Sequence, residues 1–272
     1  MNRIIALLFL ISAAVPAQES GLGLYDGPLV FRPLVANTFE PRVGLIWHAN
    51  DNRLRLDIGN SIDLLQYRFD GGAPPLTFGA DFFTYTLLRG EKNFHFPVDA
   101  VDYLFGLNAS YRDTTAAGIL SARLRLSHIS AHFVDGHFDN TASQWKDGLS
   151  PRIYSREFFD LTVAIEPADR YRIHVGALYL WHTDPTSIPA FGVSLGGDAH
   201  ASVTPWLHPF AAYQFSAAGL RPRHEAQAGV KFGTWNGRGT ELFLIHHTGN
   251  SIHGEYYDRR EEYSGFGMNI GF

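Results

Sequence analysis

The sequence contains no cysteine, so neither disulfide bonds nor thiol chemistry has to be considered. Long apolar runs are also missing, because no stretch beyond the N-terminus approaches the ~18 apolar residues of a transmembrane helix. An excess of basic residues is absent as well: the formal net charge is -5 and the isoelectric point is about 6.2. These values argue against nucleic acid as a partner.

The N-terminus has the pattern of a signal peptide. A short start with Arg3 precedes an apolar run from Ile4 to Val15, and Val15-Pro16-Ala17 supplies the small residues at which a signal peptidase cuts. This run is too short to cross roughly 30 Å of hydrocarbon as a helix. We therefore predict a signal peptide over residues 1–17, export of the chain, and an irregular periplasmic lead-in over residues 18–40.

Apolar and polar residues alternate with a period of two through residues 41–272, and the chain holds 27 Gly, 21 Phe and 12 Tyr. Short connections alternate with long ones, which is the arrangement of periplasmic turns and external loops. The pattern predicts an all-β fold, a 12-stranded antiparallel transmembrane β-barrel of outer-membrane type. The predicted strands are 41–48, 53–66, 76–88, 98–112, 116–133, 152–166, 170–182, 190–202, 206–217, 223–233, 240–248 and 262–272.

The last predicted strand ends on Phe272. A terminal Phe after such a strand resembles the assembly signal of outer-membrane barrels. This feature implies the barrel-assembly machinery as a partner and the bacterial outer membrane as the location.

Polar side chains interrupt the lipid-facing side of two consecutive strands. Continuing the outward parity of Leu124 and Leu126 brings His128 and Ser130 outward, and the outward parity of the next strand includes Glu157. Both sets lie at the external end, because the strands are antiparallel. If residue numbers across this hairpin sum to about 285, His128 opposes Glu157 and Ser130 opposes Ser155.

This set of side chains suits nucleophilic catalysis. A serine hydroxyl becomes a nucleophile when an imidazole accepts its proton, and a third group has to orient the imidazole. We therefore predict Ser130 as the nucleophile, His128 as the base and Glu157 as the orienting group. At the outer-leaflet boundary, the natural substrate is the acyl ester of a membrane lipid.

Two stretches carry a resemblance to known proteins. Ser127-His128-Ile129-Ser130-Ala131-His132 and Tyr154-Ser155-Arg156-Glu157 resemble a bacterial family of outer-membrane proteins of unknown function, which implies the fold and the location. The pattern His-x-Ser followed by Glu is similar to the active site of outer-membrane lipid A 3-O-deacylases, which are shorter barrels. The strand number is more like outer-membrane phospholipase A, whose third member is Asn. Ala131 departs from the Asn that often follows the Ser in both families.

Two functions remain open at this point. The first is an acyl-ester hydrolase acting on outer-leaflet lipopolysaccharide or phospholipid, as a monomer or a dimer. The alternative is a non-catalytic structural barrel or a narrow channel, in which His128 and Glu157 lie in the headgroup layer at little cost. A second His-x-Ser, His200-Ala201-Ser202, lies on the inward parity at the periplasmic end. The tripeptide alone is therefore not specific.

The remaining polar residues favour structural interpretations. We predict no cofactor and no metal site, since adjacent His246 and His247 point to opposite strand faces. Three loop aspartates offer calcium the oxygen ligands it prefers, but an external acidic loop is usually solvated; they are Asp135, Asp139 and Asp147. Parity turns His182 inward. It also predicts a paired charge network that plugs the lumen, made of Asp81, Asp102, Arg123, Arg125 and Arg156.

Overall fold

A computed structural model describes residues 20–219 and 221–272. Within these ranges the chain forms fifteen strands. They are β1 (Gly21–Leu24), β2 (Val43–His48), β3 (Arg53–Arg68), β4 (Leu76–Arg89), β5 (Val98–Thr115), β6 (Gly118–Phe133), β7 (Phe138–Asp139), β8 (Gln144–Trp145), β9 (Tyr154–Ala168), β10 (Tyr171–Asp184), β11 (Phe191–His200), β12 (Leu207–Ala218), β13 (Arg221–Gly233), β14 (Gly239–Asn250) and β15 (Arg260–Gly271).

Five single-turn 3₁₀ helices lie in the loops of the described chain: Asp70–Gly72, Lys92–Phe94, Asp135–His137, Lys146–Gly148 and Gly254–Tyr256. No helix in these ranges is long and apolar enough to span a membrane. The predicted signal peptide over residues 1–17 lies outside the described residues.

Twelve long strands close into an antiparallel barrel, which confirms the predicted fold class. Each strand pairs with the next, and β15 closes the wall by pairing with β2, from Gly265 opposite His48 to Ile270 opposite Val43. The short β1 adds to the free edge at the end of β3. The small β7–β8 pair lies in the loop between β6 and β9. Closure lets every strand satisfy its backbone hydrogen bonds without water, as a hydrocarbon environment demands.

The two faces of the wall differ as the alternation predicts. On β10, Ile173 and Val175 are 53% and 52% exposed, whereas the intervening Arg172 and His174 are 5% and 3% exposed. Apolar side chains therefore cover the outside and polar ones the lumen, the arrangement of a transmembrane barrel.

The lumen is filled by the segment between β1 and β2. Glu40 of this segment binds both Arg123 and Arg125, and Nε of Arg125 donates to Oδ2 of Asp81 at 3.0 Å. Phe31 and Leu34 are also buried there, against Ala164. The lead-in that we expected to be irregular and periplasmic thus contains β1 and then runs inside the barrel.

The predicted charge network forms only in part. Arg123, Arg125 and Asp81 belong to it, but Asp102 instead accepts a hydrogen bond from His253 at 2.8 Å. Arg156 has no carboxylate partner among the described residues and lies over the rings of Phe39 and Phe158. Its placement in a paired network was wrong, because the lumen at its level is lined by an apolar cluster that includes Phe83, Leu104, Ile129, Phe158 and Leu180.

Candidate active site

The hairpin of β6 and β9 places the predicted residues opposite one another. His128 pairs with Glu157 and Ser130 with Ser155, which confirms the predicted register. Ile129, between the first two on the strand, is fully buried, whereas Leu126 and Phe159 beside them are 41% and 42% exposed. His128, Ser130 and Glu157 therefore lie on the outer, lipid-facing side of the wall.

His128 and Glu157 are in direct contact. Nδ1 of the imidazole lies 2.7 Å from Oε1 of the carboxylate, and both side chains are partly exposed. A carboxylate only accepts hydrogen bonds, so it fixes the tautomer in which Nδ1 carries the proton. Nε2 is then left with its lone pair, as a general base requires.

An aromatic ring backs the imidazole on its other side. Phe105 of β5 pairs with His128 in register, and the two rings stack with centroids 5.1 Å apart and planes 25° apart. Stacking and the carboxylate together restrict the rotation of the imidazole. The ring is therefore held in one orientation.

Glu157 accepts two further hydrogen bonds. Oγ of Ser155 donates to Oε1 at 3.0 Å, and Nδ1 of His182 lies 2.5 Å from Oε2. Both carboxylate oxygens are therefore occupied, with one imidazole on each. This arrangement fixes the plane of the carboxylate as well as that of His128.

His182 was predicted to face the lumen, and this prediction was wrong. The register between β10 and β9 shifts between Leu180, which pairs with Phe158, and His182, which pairs with Glu157. Trp181 is the extra residue of this bulge, so both Trp181 and His182 face outward and are exposed. Alternation alone does not show a bulge. A polar residue directly after the outward Trp181 fits plain alternation, so the sequence carried no signal for this bulge.

Ser130 lies one position further along the same face of β6, between Tyr103 of β5 and Ser155 of β9. Within residues 20–219 and 221–272 its Oγ has no hydrogen-bond partner, so the contact with Nε2 of His128 is not formed. Catalytic hydrogen bonds are often long in enzymes without substrate. The structure thus brings His128 and Glu157 together, with Ser130 adjacent.

The second His-x-Ser has different surroundings. Oγ of Ser202 lies 3.0 Å from Nδ1 of His208, and His200 stacks on Trp235 with centroids 4.1 Å apart. No carboxylate hydrogen-bonds either His200 or Ser202 among the described residues. This copy lies at the end of the barrel wall opposite to that of His128.

The other predicted features do not form a site. His246 is exposed and contacts Ser264, whereas His247 is buried near Glu225, so the pair points to opposite faces. In the described chain, no group of three or more His, Asp or Glu side chains is placed to hold a metal. The carboxylate of Asp139 accepts hydrogen bonds from the backbone N–H groups of Thr141 and Ala142, so it points back toward the backbone of its own loop.

Solved structures of outer-membrane phospholipases share this fold. An active-site mutant of outer membrane phospholipase A from Escherichia coli matches with a TM-score of 0.54 and 13% identity over 91% of this chain and 94% of that one. A second structure of the Escherichia coli protein gives 0.53 and 14% over 86% and 93%. The calcium-bound dimer from Salmonella typhi gives 0.52 and 12% over 86% and 93%. At these identities the likeness shows the fold alone.

No curated protein matches the sequence. A family model does match, and it covers residues 99–272. This range includes β5 through β15 and therefore His128, Ser130, Glu157 and His182. The chain belongs to the family described as protein of unknown function, DUF1207.

Proposed function

We propose that this protein is an acyl-ester hydrolase of the bacterial outer membrane, with Ser130 as nucleophile, His128 as base and Glu157 as orienting group. One observation carries the proposal: the 2.7 Å contact between His128 Nδ1 and Glu157 Oε1 on the lipid-facing side of the barrel. Polar side chains on a lipid-facing surface do not stabilise a barrel, and their cost in free energy grows with depth in the membrane. The pair of His128 and Glu157 is, however, the arrangement that activates a neighbouring serine.

The chemistry follows the serine hydrolase scheme. Rotation about the Cα–Cβ bond of Ser130 turns Oγ toward His128, whose Nε2 takes the hydroxyl proton as Oγ attacks the ester carbonyl carbon. The imidazolium, stabilised by Glu157, then gives this proton to the departing alcohol oxygen as the C–O bond breaks. Water then attacks the acyl carbon while the same Nε2 takes one of its protons, and this proton passes to Oγ as the bond from Oγ to the acyl carbon breaks. The acyl chain leaves as a carboxylic acid.

The surroundings favour a substrate that arrives from the bilayer. Phe105, Leu126 and Phe159 border the site and are exposed, so acyl chains can lie against them while the ester reaches Ser130. The substrate class is an acyl ester of an outer-leaflet lipid, either lipopolysaccharide or phospholipid. A channel is less well supported, because the segment with Phe31, Leu34 and Glu40 occupies the lumen.

The test compares lipids before and after exposure to the protein. Wild type, Ser130→Ala and Ser202→Ala are purified folded in detergent and incubated with mixed micelles of phospholipid or of lipid A, and the products are identified by mass spectrometry. We expect free fatty acid and deacylated lipid with wild type and Ser202→Ala, and neither with Ser130→Ala.

The control variant removes the serine of the second His-x-Ser, which has no carboxylate-bound histidine beside it. Unchanged lipids with folded wild-type protein, or equal activity of Ser130→Ala, would leave the non-catalytic structural barrel as the function.

A further inference from the structure

A cavity of about 150 Å³ lies inside the barrel, separated by the wall from the outer-face residues. It reaches from Asn37 and Arg125 at mid-barrel to Ile188 and Tyr257 in the loops at the external end. A space of this size holds several waters or a small organic molecule. Because one end of the cavity lies among these loops, the cavity is accessible from the external side rather than from the bilayer.

Two arginines share one aromatic ring in this cavity. The guanidinium carbons of Arg156 and Arg223 each lie 4.8 Å from the ring centroid of Phe39. Stacking on a ring occupies the face of a guanidinium and leaves its N–H edge free to donate. Nε of Arg156 is sealed from solvent and has no hydrogen-bond partner in the described chain. Nε of Arg223 donates to Ser216 at 3.3 Å.

No carboxylate in the described chain forms an ion pair with Arg156, Arg223 or the nearby Arg221. Asp102 accepts from His253 and from the backbone N–H of Gly254. Glu225 accepts from Gln227 and lies close to His247. These two acids are thus engaged elsewhere.

One acid, Asp160, also lines the cavity; it lies opposite Arg125 in the sheet register and forms no ion pair with any arginine of the described chain. Three arginines of the lining, Arg156, Arg221 and Arg223, thus face the cavity without an ion-paired carboxylate among the described residues. Deeper in the lumen the arginines do have a carboxylate partner, because Glu40 bridges Arg123 and Arg125. Neighbouring cations in a low-dielectric interior are costly unless an anion compensates them.

We propose that this cavity binds a small organic anion whose carboxylate or phosphate group accepts hydrogen bonds from Arg156 and Arg223. An apolar part of the same molecule packs against Leu104, Phe158 and Leu178, which also line the cavity. The bound anion forms the ion pairs with Arg156 and Arg223 that no carboxylate of the described chain forms. This site is independent of Ser130, which faces the opposite side of the wall.

The experiment measures binding by isothermal titration calorimetry on the full-length folded protein in a zwitterionic detergent. The probes are sodium phosphate and sodium hexanoate, with choline chloride as a cation control, all at constant ionic strength. We expect saturable binding of at least one anion to wild type and to Ser130→Ala. Arg156→Gln and Arg223→Gln should each raise the Kd by about tenfold or more, because each removes a charge-assisted donor.

Arg238→Gln is the matched control, because Arg238 is exposed in the turn between β13 and β14, away from the cavity lining. This substitution should leave the Kd unchanged. The same anion should raise the melting temperature of wild type, because a ligand bound only to the folded state stabilises it. Arg156→Lys keeps the charge and provides a second variant if the Gln forms do not fold; it should bind more weakly than wild type.

Binding of hexanoate alone identifies an alkyl carboxylate as the ligand type, and binding of phosphate alone identifies a phosphate group. Absence of saturable binding by either anion, or unchanged Kd values in the Arg156 and Arg223 variants, overturns the proposal.

Discussion

The two His-x-Ser copies of this barrel have the same residue types at the same spacing and opposite surroundings. His128 faces lipid and contacts a carboxylate that also holds His182, whereas His200 stacks on Trp235. In both copies, the alternation along the strand decides which face of the wall the side chains occupy. The difference shows that the pattern acquires chemical meaning only from its face and from the residue in register on the neighbouring strand.

The largest expected effect is a difference in hydrolysis rate between variants of His128 and His200. His128→Ala should lower lipid acyl hydrolysis by about a thousandfold or more, because the serine loses its base. His200→Ala should leave the rate unchanged, since no carboxylate hydrogen-bonds His200 among the described residues. The measurement is fatty-acid release from mixed micelles, with circular dichroism to verify folding. Equal rates for the two variants would contradict a special role for the outer copy.

For stability, in contrast to activity, a substitution in the lumen should have a larger effect than one on the outer face. Glu40→Ala leaves Arg123 and Arg125 without their shared carboxylate, so the unfolding free energy should fall by roughly 3–5 kcal/mol. Glu157→Ala removes a carboxylate near the rim of the wall and should change the unfolding free energy by about 1 kcal/mol or less, as for charged side chains near a membrane interface. Urea unfolding of the purified barrels in lipid vesicles measures both. A larger loss for Glu157→Ala would make the outer group structural.

A change of charge alone at the orienting residue should have an intermediate effect. Glu157→Gln keeps an oxygen that accepts from His128 Nδ1 but loses the charge that stabilises the imidazolium, so kcat should fall roughly 10- to 100-fold. Glu262→Gln, an exposed carboxylate on β15, is the control. Activity of Glu157→Gln equal to wild type would remove Glu157 from the mechanism.

The smallest effect is expected at the residue that the bulge brings outward. His182→Ala removes one hydrogen bond from Glu157, so hydrolysis should fall about 2- to 10-fold. His246→Ala is the matched control, because His246 is also an outward histidine but contacts a serine instead of a carboxylate. A rate for His182→Ala that matches this control would show that one imidazole on Glu157 is sufficient.

Much of the site follows from local properties of the chain. The strands, their faces and the register of β6 with β9 depend on a period of two and on antiparallel pairing of neighbours. His128 opposite Glu157 could therefore be predicted by counting. Whether Ser130 acts as a nucleophile remains a prediction, since it depends on a side-chain rotation and on a substrate.

The sequence by itself determined the barrel, its strand number and the outward face of His128, Ser130 and Glu157, because alternation is a property of each strand alone. Only the tertiary structure decided that Trp181 forms a bulge and turns His182 outward, and that Glu40 lies 85 residues from its partner Arg125 in the chain. The same holds for Arg156, which lies beside Phe39 and has no ion-paired carboxylate among the described residues. Contacts between distant segments depend on the closed wall, and periodicity carries no information about them.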